Sequence, residues 1–244
     1  AASRMFKSLY EFIDKYKNIE KPDLSGNKAF LDFFVNIDKF AFYKDLDAAL
    51  RKKKSSISQA VKEKQFVLIL ETLLNADGLN YGALPKGMLK FHQYKDSIRT
   101  AVEEHLAEAY LYANNDGQAY LHFTVSPEHR ADFEKLVNSV KPVYEKKYKV
   151  VFNISYSEQK KSTDTIAVDM NNVPVLNNGK FVFRPGGHGS LLENLNDLDG
   201  DLIFIKNIDN VVPDHLKDET VKYKQALAGM LLGFQKDIFG YLQK

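Results

Sequence analysis

The sequence predicts an α/β protein with a largely parallel sheet, opened by a helical segment. Three observations carry this. Apolar residues in the first third recur at helical spacing. In the second half, strand-like and helix-like stretches alternate, the order that builds βαβ units. Turn sequences rich in Gly, Asn and Asp separate them.

Phe6, Leu9, Tyr10 and Ile13 fall at i, i+3, i+4 and i+7, one apolar helix face. Residues 21–27 form a loop, and Phe30, Phe33, Phe34 and Ile37 repeat the helical spacing. Residues 51–56 read as a basic linker and a solvated face. A helix is expected over 57–74, ending at the turn sequence Asn75-Ala76-Asp77-Gly78. Residues 88–92 read as extended. A helix over 97–112 turns Ile98, Val102, Leu106 and Ala109 inward and ends at Asn114-Asn115-Asp116-Gly117. Residues 119–125 alternate as a strand. Ser126-Pro127 then supplies a cap and a first-turn proline for a helix carrying Phe133, Leu136, Val137 and Val140. Strands are expected at 148–156, 165–168, 180–183 and, as a buried apolar run, 201–206. A short helix holds Leu191, Leu192, Leu195 and Leu198, and a long one runs from about Lys217.

Composition narrows the classes. The 244 residues fit one large domain, or a domain with an insertion, and 44% apolar with 27% charged residues is ordinary for a globular chain. A net charge of +2 gives no field to draw nucleic acid or an anionic membrane. The absence of Cys excludes disulfides, thiolate metal sites and a cysteine nucleophile. No apolar run approaches the roughly 20 residues of a membrane span. The first residues lack a signal-peptide core. A cytoplasmic location is the expectation.

Open α/β sheets bind ligands beyond the carboxyl ends of their strands. After residues 201–206 comes Asn207-Ile208-Asp209-Asn210, where a carboxylate can hold Mg²⁺ beside phosphates. Spacing alone favours a turn capped by its Asp and Asn. Ahead of the strand lies Arg184-Pro185-Gly186-Gly187-His188-Gly189, followed by a helix. Its glycines let backbone N–H groups approach an anion or a flat base, or form a flexible connector. Lys86, in a loop, is a point charge for phosphate. Ser3 and Arg4 precede the first helix and can face a phosphate. Residues 197–201 lack the Glu of a calcium loop and read as a turn. Glu103, Glu104 and His105, mid-helix, read as surface or satisfied core residues.

Taken in order, these fragments resemble the sugar-nucleotide pyrophosphorylases, with closest likeness to the UDP-N-acetylglucosamine and UDP-glucose branch. The carrying residues are Ser3-Arg4-Met5, Pro85-Lys86-Gly87-Met88, Ser157-Glu158-Gln159, the glycine turn and Ile208-Asp209-Asn210. The likeness spans residues 84–214 plus the first five. The whole chain also resembles an uncharacterised bacterial domain family of this nucleotidyltransferase type. The resemblance implies a Rossmann-like, mostly parallel sheet of nucleotide-diphospho-sugar transferase (GT-A) type over 1–244, with residues 17–83 as a helical insertion or lid. It also implies a first strand preceding Ala1.

The reaction so implied joins a nucleoside triphosphate to a sugar 1-phosphate and releases pyrophosphate. Arg4 would hold the departing pyrophosphate and Lys86 the α-phosphate or sugar phosphate. Asp209 would hold Mg²⁺. Ser3, Gln159, Gly187, His188, Gly189 and Asn210 would complete the nucleotide site, with Gln159 and the glycine turn reading the base. One rival is a nucleotide- or nucleotide-sugar-binding module without turnover. A second is a glycosyltransferase using Asp197 and Asp199, which precede the strand. A third is a helical scaffold built on residues 5–80.

Overall fold

Leu9, Phe12 and Ile13 turn one stripe of α1 (Ala2–Tyr16) into the interior. Tyr10, expected on that stripe, remains 40% exposed. The structure, a computed structural model, describes residues 2–24 and 26–243, with side chains from Phe6 onward. Asn27 starts α2 (Lys28–Val35) by accepting a hydrogen bond from the Phe30 N–H. α3 (Tyr43–Lys52) buries Leu46 and Leu50, one turn apart.

The single helix expected over 57–74 is two, α4 (Ile57–Lys62) and α5 (Phe66–Leu74). The break has a backbone cause. Lys64 takes a left-handed φ of 59°, and the Lys64 and Gln65 N–H groups return to the Val61 and Ala60 carbonyls. This is a Schellman closure with lysine where glycine is usual. Lys54, at φ 61°, closes α3 in the same way. Around these helices Leu46, Leu50, Ala60, Ile69 and Leu70 are fully buried, and Phe12 stacks on Phe30 with ring centres 4.4 Å apart. Burying each large side chain stabilises by ~1.5–3 kcal/mol.

β1 (Lys90–Gln93) and β2 (Ile98–Thr100) form an antiparallel hairpin whose register shifts between Lys90 and His92. The helix expected from residue 97 therefore begins later, as α6 (Ala101–Tyr112). A reciprocal cap fixes its start: the Glu103 carboxylate accepts from the Thr100 N–H at 2.7 Å, and the Thr100 hydroxyl accepts from the Glu103 N–H at 3.3 Å. Residues to Glu104, with Ile208–Pro213, make one compact unit. His105–Asn207, with Asp214 onward, make a second.

In the second unit, Asp116 and Gly117 hold φ values of 47° and 75°, a type I′ turn. It pairs β3 (Asn114–Asn115) with β4 (Gln118–Thr124), so a stretch expected only to end a helix makes a hairpin. β4 leads through α7 (Arg130–Tyr148) to β5 (Val151–Ser157), which lies parallel to β4 in the order β3-β4-β5. Ala119 and Phe152 from these strands bury against Leu106 and Tyr144.

β6 (Thr165–Ile166), β7 (Leu176–Asn177), β8 (Lys180–Phe181) and β9 (Phe183–Arg184) are two residues each. β6 pairs with β9 and β7 with β8, all antiparallel. Among the described residues β4–β5 is the one parallel pair, so the protein is mixed α/β with small sheets rather than one broad parallel sheet. α8 (Leu192–Asn196) and α9 (Lys217–Leu242) follow. Residues 201–206, expected as a buried strand, run between them without a ladder among the described residues. Ile203 and Ile205 face solvent, Phe204 packs on Tyr112 with ring centres 5.0 Å apart, and Lys206 meets the buried Glu108 carboxylate. Among the described residues no helix is long and apolar enough to cross a membrane.

Lys64→Gly removes the left-handed strain and is expected to stabilise the protein by about 0.5–1 kcal/mol after the entropy of glycine is counted. Leu70→Ala, at a fully buried site, is expected to cost about 2–5 kcal/mol. Urea denaturation of both variants measures the two effects.

Candidate functional site

The first unit brings together two of the residues singled out by motif. Pro85 leads into a single 3₁₀ turn, Lys86–Met88. From it the Lys86 ammonium donates to Asp209 Oδ2 at 2.6 Å, across 123 residues of sequence. The two side chains are 33% and 24% exposed, so both can still be approached from solvent. The Lys86 hydrogen bond holds the Asp209 carboxyl below its ordinary value, with partial burial opposing. Asn210 follows at the surface. Met88, in the same turn as Lys86, lines a shallow groove of about 450 Å³ with Asp45, Lys52, Tyr81 and Lys90. Lys90 pairs with Asp45 there. Burial pushes the Tyr81 phenol up to about 12. Ser3 and Arg4 fall in α1, but their side chains lie outside the described residues.

Behind the hairpin of the same unit sits a closed acidic knot. Glu104 is fully buried and accepts from the Tyr94 hydroxyl at 2.7 Å and Arg99 Nη1 at 3.4 Å; its Oε1 also lies 3.0 Å from His92 Nδ1. Arg99 stacks over the Tyr94 ring at 4.2 Å. Glu104 is thus a satisfied core carboxylate, while Glu103 serves the helix cap.

The second unit presents the carboxyl ends of the parallel pair. Parallel register sets His122 beside Ser155 and Thr124 beside Ser157, on one face of the sheet because side chains alternate. Ser155 Oγ lies 2.8 Å from His122 Nδ1, and Ser157 Oγ lies 2.8 Å from His122 Nε2. Burial first, then the charge of Arg130, lowers the His122 pKa and keeps the imidazole neutral. Asn194 of α8, only 4% exposed, donates to Ser157 Oγ at 2.9 Å and to the Glu158 carbonyl at 2.8 Å.

Gln159 follows β5, and its amide donates to Asp164 at 3.5 Å. The glycine turn runs into a 3₁₀ segment, His188–Leu191. A Cβ on Gly186 would meet Ser190 Oγ at 1.9 Å and the Thr163 carbonyl at 3.1 Å, so close packing demands glycine there. Gly187 and Gly189 face open space, and neither has the positive φ that would require glycine. His188 is exposed beside them. Gln159 and this turn therefore share one unit, and Lys86, Asp209 and Asn210 share the other. Asp197 is taken by Lys160 at 2.7 Å, and Asp199 follows it at the surface.

His122, Ser155 and Asn194 belong to no sequence motif, whereas Ser157 opens the Ser157-Glu158-Gln159 motif. Their signal is the alternation of His122 with Thr124 and of Ser155 with Ser157 at the ends of two neighbouring strands.

Over residues 1–244 the chain matches the model of a domain of unknown function, DUF4301, and it belongs to that family. No curated protein and no solved structure matches it.

A histidine with a lowered folded pKa contributes stability above its ordinary value of 6.5, and that contribution is lost as pH falls through the folded value. Asp209, also lowered but from 3.8, loses its contribution only in stronger acid. His122→Asn is therefore expected to flatten the fall in melting temperature between about pH 7 and about pH 5, leaving the more acidic loss in place. Thermal melts against pH check this; a variant curve parallel to wild type across that interval contradicts the neutral imidazole.

Proposed function

We propose that this DUF4301 protein is a nucleotidyltransferase-like enzyme, built on a Rossmann-like core of GT-A type, that transfers a nucleoside monophosphate from a nucleoside triphosphate to a sugar 1-phosphate. The observation that carries the reading is the Lys86–Asp209 pair. Two motifs 123 residues apart, each matched to the phosphate end of a pyrophosphorylase site, place a cation and a carboxylate 2.6 Å apart.

In the proposed reaction a sugar 1-phosphate oxygen bonds to the α-phosphorus. The bond from that phosphorus to the β-phosphate oxygen breaks, and pyrophosphate leaves. Such chemistry needs positioning and charge neutralisation more than covalent help. Lys86 would hold the α-phosphate or the sugar phosphate, and Arg4 the leaving pyrophosphate. Gln159 with Gly187, His188 and Gly189 would read the base, and Ser3 and Asn210 would complete the nucleotide contacts.

Asp209 fits Mg²⁺ in chemistry: it is a hard oxygen donor held ionised by Lys86 and partly open to solvent. Mg²⁺ needs only one or two protein carboxylates when phosphates and waters supply the rest. When bound, the ion would neutralise phosphate charge. The free-state ion pair supports a partner exchange. An arriving phosphate would draw Lys86 away, and Asp209 would then be the carboxylate to hold the ion.

Mixing the protein with nucleoside triphosphates, sugar 1-phosphates and Mg²⁺ should release pyrophosphate, and Lys86→Ala should slow that release by roughly 10²-fold. Binding without release identifies a nucleotide-binding module. Asp209→Ala is expected to abolish the Mg²⁺-dependent part of triphosphate binding measured by calorimetry; an affinity unchanged in Mg²⁺ refutes the metal role.

A further inference from the structure

We propose that Asn194 is the positioning residue that sets base selectivity, by clamping the glycine turn to the end of β5 beside Gln159. This rests on the nucleotide reading above and adds a residue and a mechanism to it. Asn194 reaches two acceptors at once, Ser157 Oγ at 2.9 Å and the Glu158 carbonyl at 2.8 Å. A carbonyl only accepts, so the amide nitrogen must face it and the orientation of the amide is fixed. The residue sits in α8, which follows directly on the His188–Leu191 turn. Its two bonds therefore tie the glycine turn to the strand end from which Gln159 emerges.

The clamp is backed from the sheet. Ser157 Oγ, which receives the Asn194 N–H, lies 2.8 Å from His122 Nε2 and 3.2 Å from Thr124 Oγ1. His122 is itself held at Nδ1 by Ser155 at 2.8 Å. Lys160 adds an outer tie from the same strand exit to Asp197 at 2.7 Å, at the end of α8. On the turn side, Gly186 packs so closely on Ser190 that any larger residue would displace it.

The Asn194 amide is satisfied on its nitrogen side only. Its Oδ1 is buried without a hydrogen-bond partner, and an orphaned buried acceptor lowers stability. Leucine has a similar branched outline but would leave the Glu158 carbonyl and the Ser157 hydroxyl without this donor. What the amide supplies and leucine does not is a fixed distance between the turn and β5. Gly187 and Gly189, which the protein's own packing leaves open, stand on the clamped turn. A base lying against them would be judged by how far they stand from Gln159.

The test is calorimetric titration of the full chain with ATP, GTP, CTP and UTP, and with inorganic tripolyphosphate, which has no base. Wild type is expected to prefer one base by at least about tenfold. Asn194→Leu should lose that preference while keeping tripolyphosphate affinity within about twofold of wild type. Ser157→Ala, which removes one of the two acceptors, should weaken the preference, and Ser157→Thr, which keeps the hydroxyl, should retain it. If Asn194→Leu does not fold, the Ser157 pair decides. Preference unchanged in Asn194→Leu, or equal in both Ser157 variants, overturns the clamp. Wild type that binds all four nucleotides and tripolyphosphate alike also overturns it but leaves the phosphate site standing. Wild type that binds none of them overturns both readings.

Discussion

Two carboxylates one turn apart on α6 set the terms for much of the structure. Glu104 and Glu108 are 0% and 1% exposed, and a buried charge is tolerable only when it is paired and hydrogen-bonded. Each therefore dictates what lies beside it in its own unit. Glu104 requires the donors of Tyr94, Arg99 and His92, and so the β1–β2 hairpin that supplies them. Glu108 requires Lys206 and the Tyr112 hydroxyl. Desolvation lowers the Lys206 pKa, while the bond to Glu108 raises it. Burial and the adjacent Glu108 raise the Tyr112 phenol. This explains why residues 201–206 hold an extended course without strand partners: the chain is fixed by one buried cation and by Phe204, not by a ladder.

The Lys86–Asp209 pair differs in kind from these buried contacts. Partly exposed ion pairs stabilise little, because solvent screens them and ordering two side chains costs entropy. A pair worth little to folding is easily exchanged. The same pair buried as deeply as Glu104 would resist exchange.

Much of the helical half is legible in sequence, because its signal is periodicity. Leu9, Ile13, Phe34 and Ile37 are residues that the apolar stripes pick out, and they are buried. What escapes is backbone chemistry. Lys64 closes a helix in a conformation usually marked by glycine, so no turn signal announces that break. Thr100 and Glu103 do form a readable capping box, but the apolar spacing of Ile98 and Val102 outweighs it and draws the helix four residues too early. The run Leu202-Ile203-Phe204-Ile205 has strand composition, and composition does not say whether a neighbour is present. In the site, Lys86 and Asp209 were legible as motif residues, and their contact was not. His122 and Asn194 were not legible, because each is ordinary alone and their meeting at Ser157 exists only in the folded chain.

Glycine usage separates architecture from ligand contact in a way sequence does not. All three glycines of the turn look alike in the string Gly186-Gly187-His188-Gly189. In space, Gly186 is demanded by Ser190 and by the Thr163 carbonyl, whereas a side chain at 187 or 189 would meet nothing. Packing therefore supplies no reason for glycine at those two positions. The turn is fitted closely at Gly186 and followed by the bonds of Asn194 to Ser157 and Glu158, and it is open at Gly187 and Gly189.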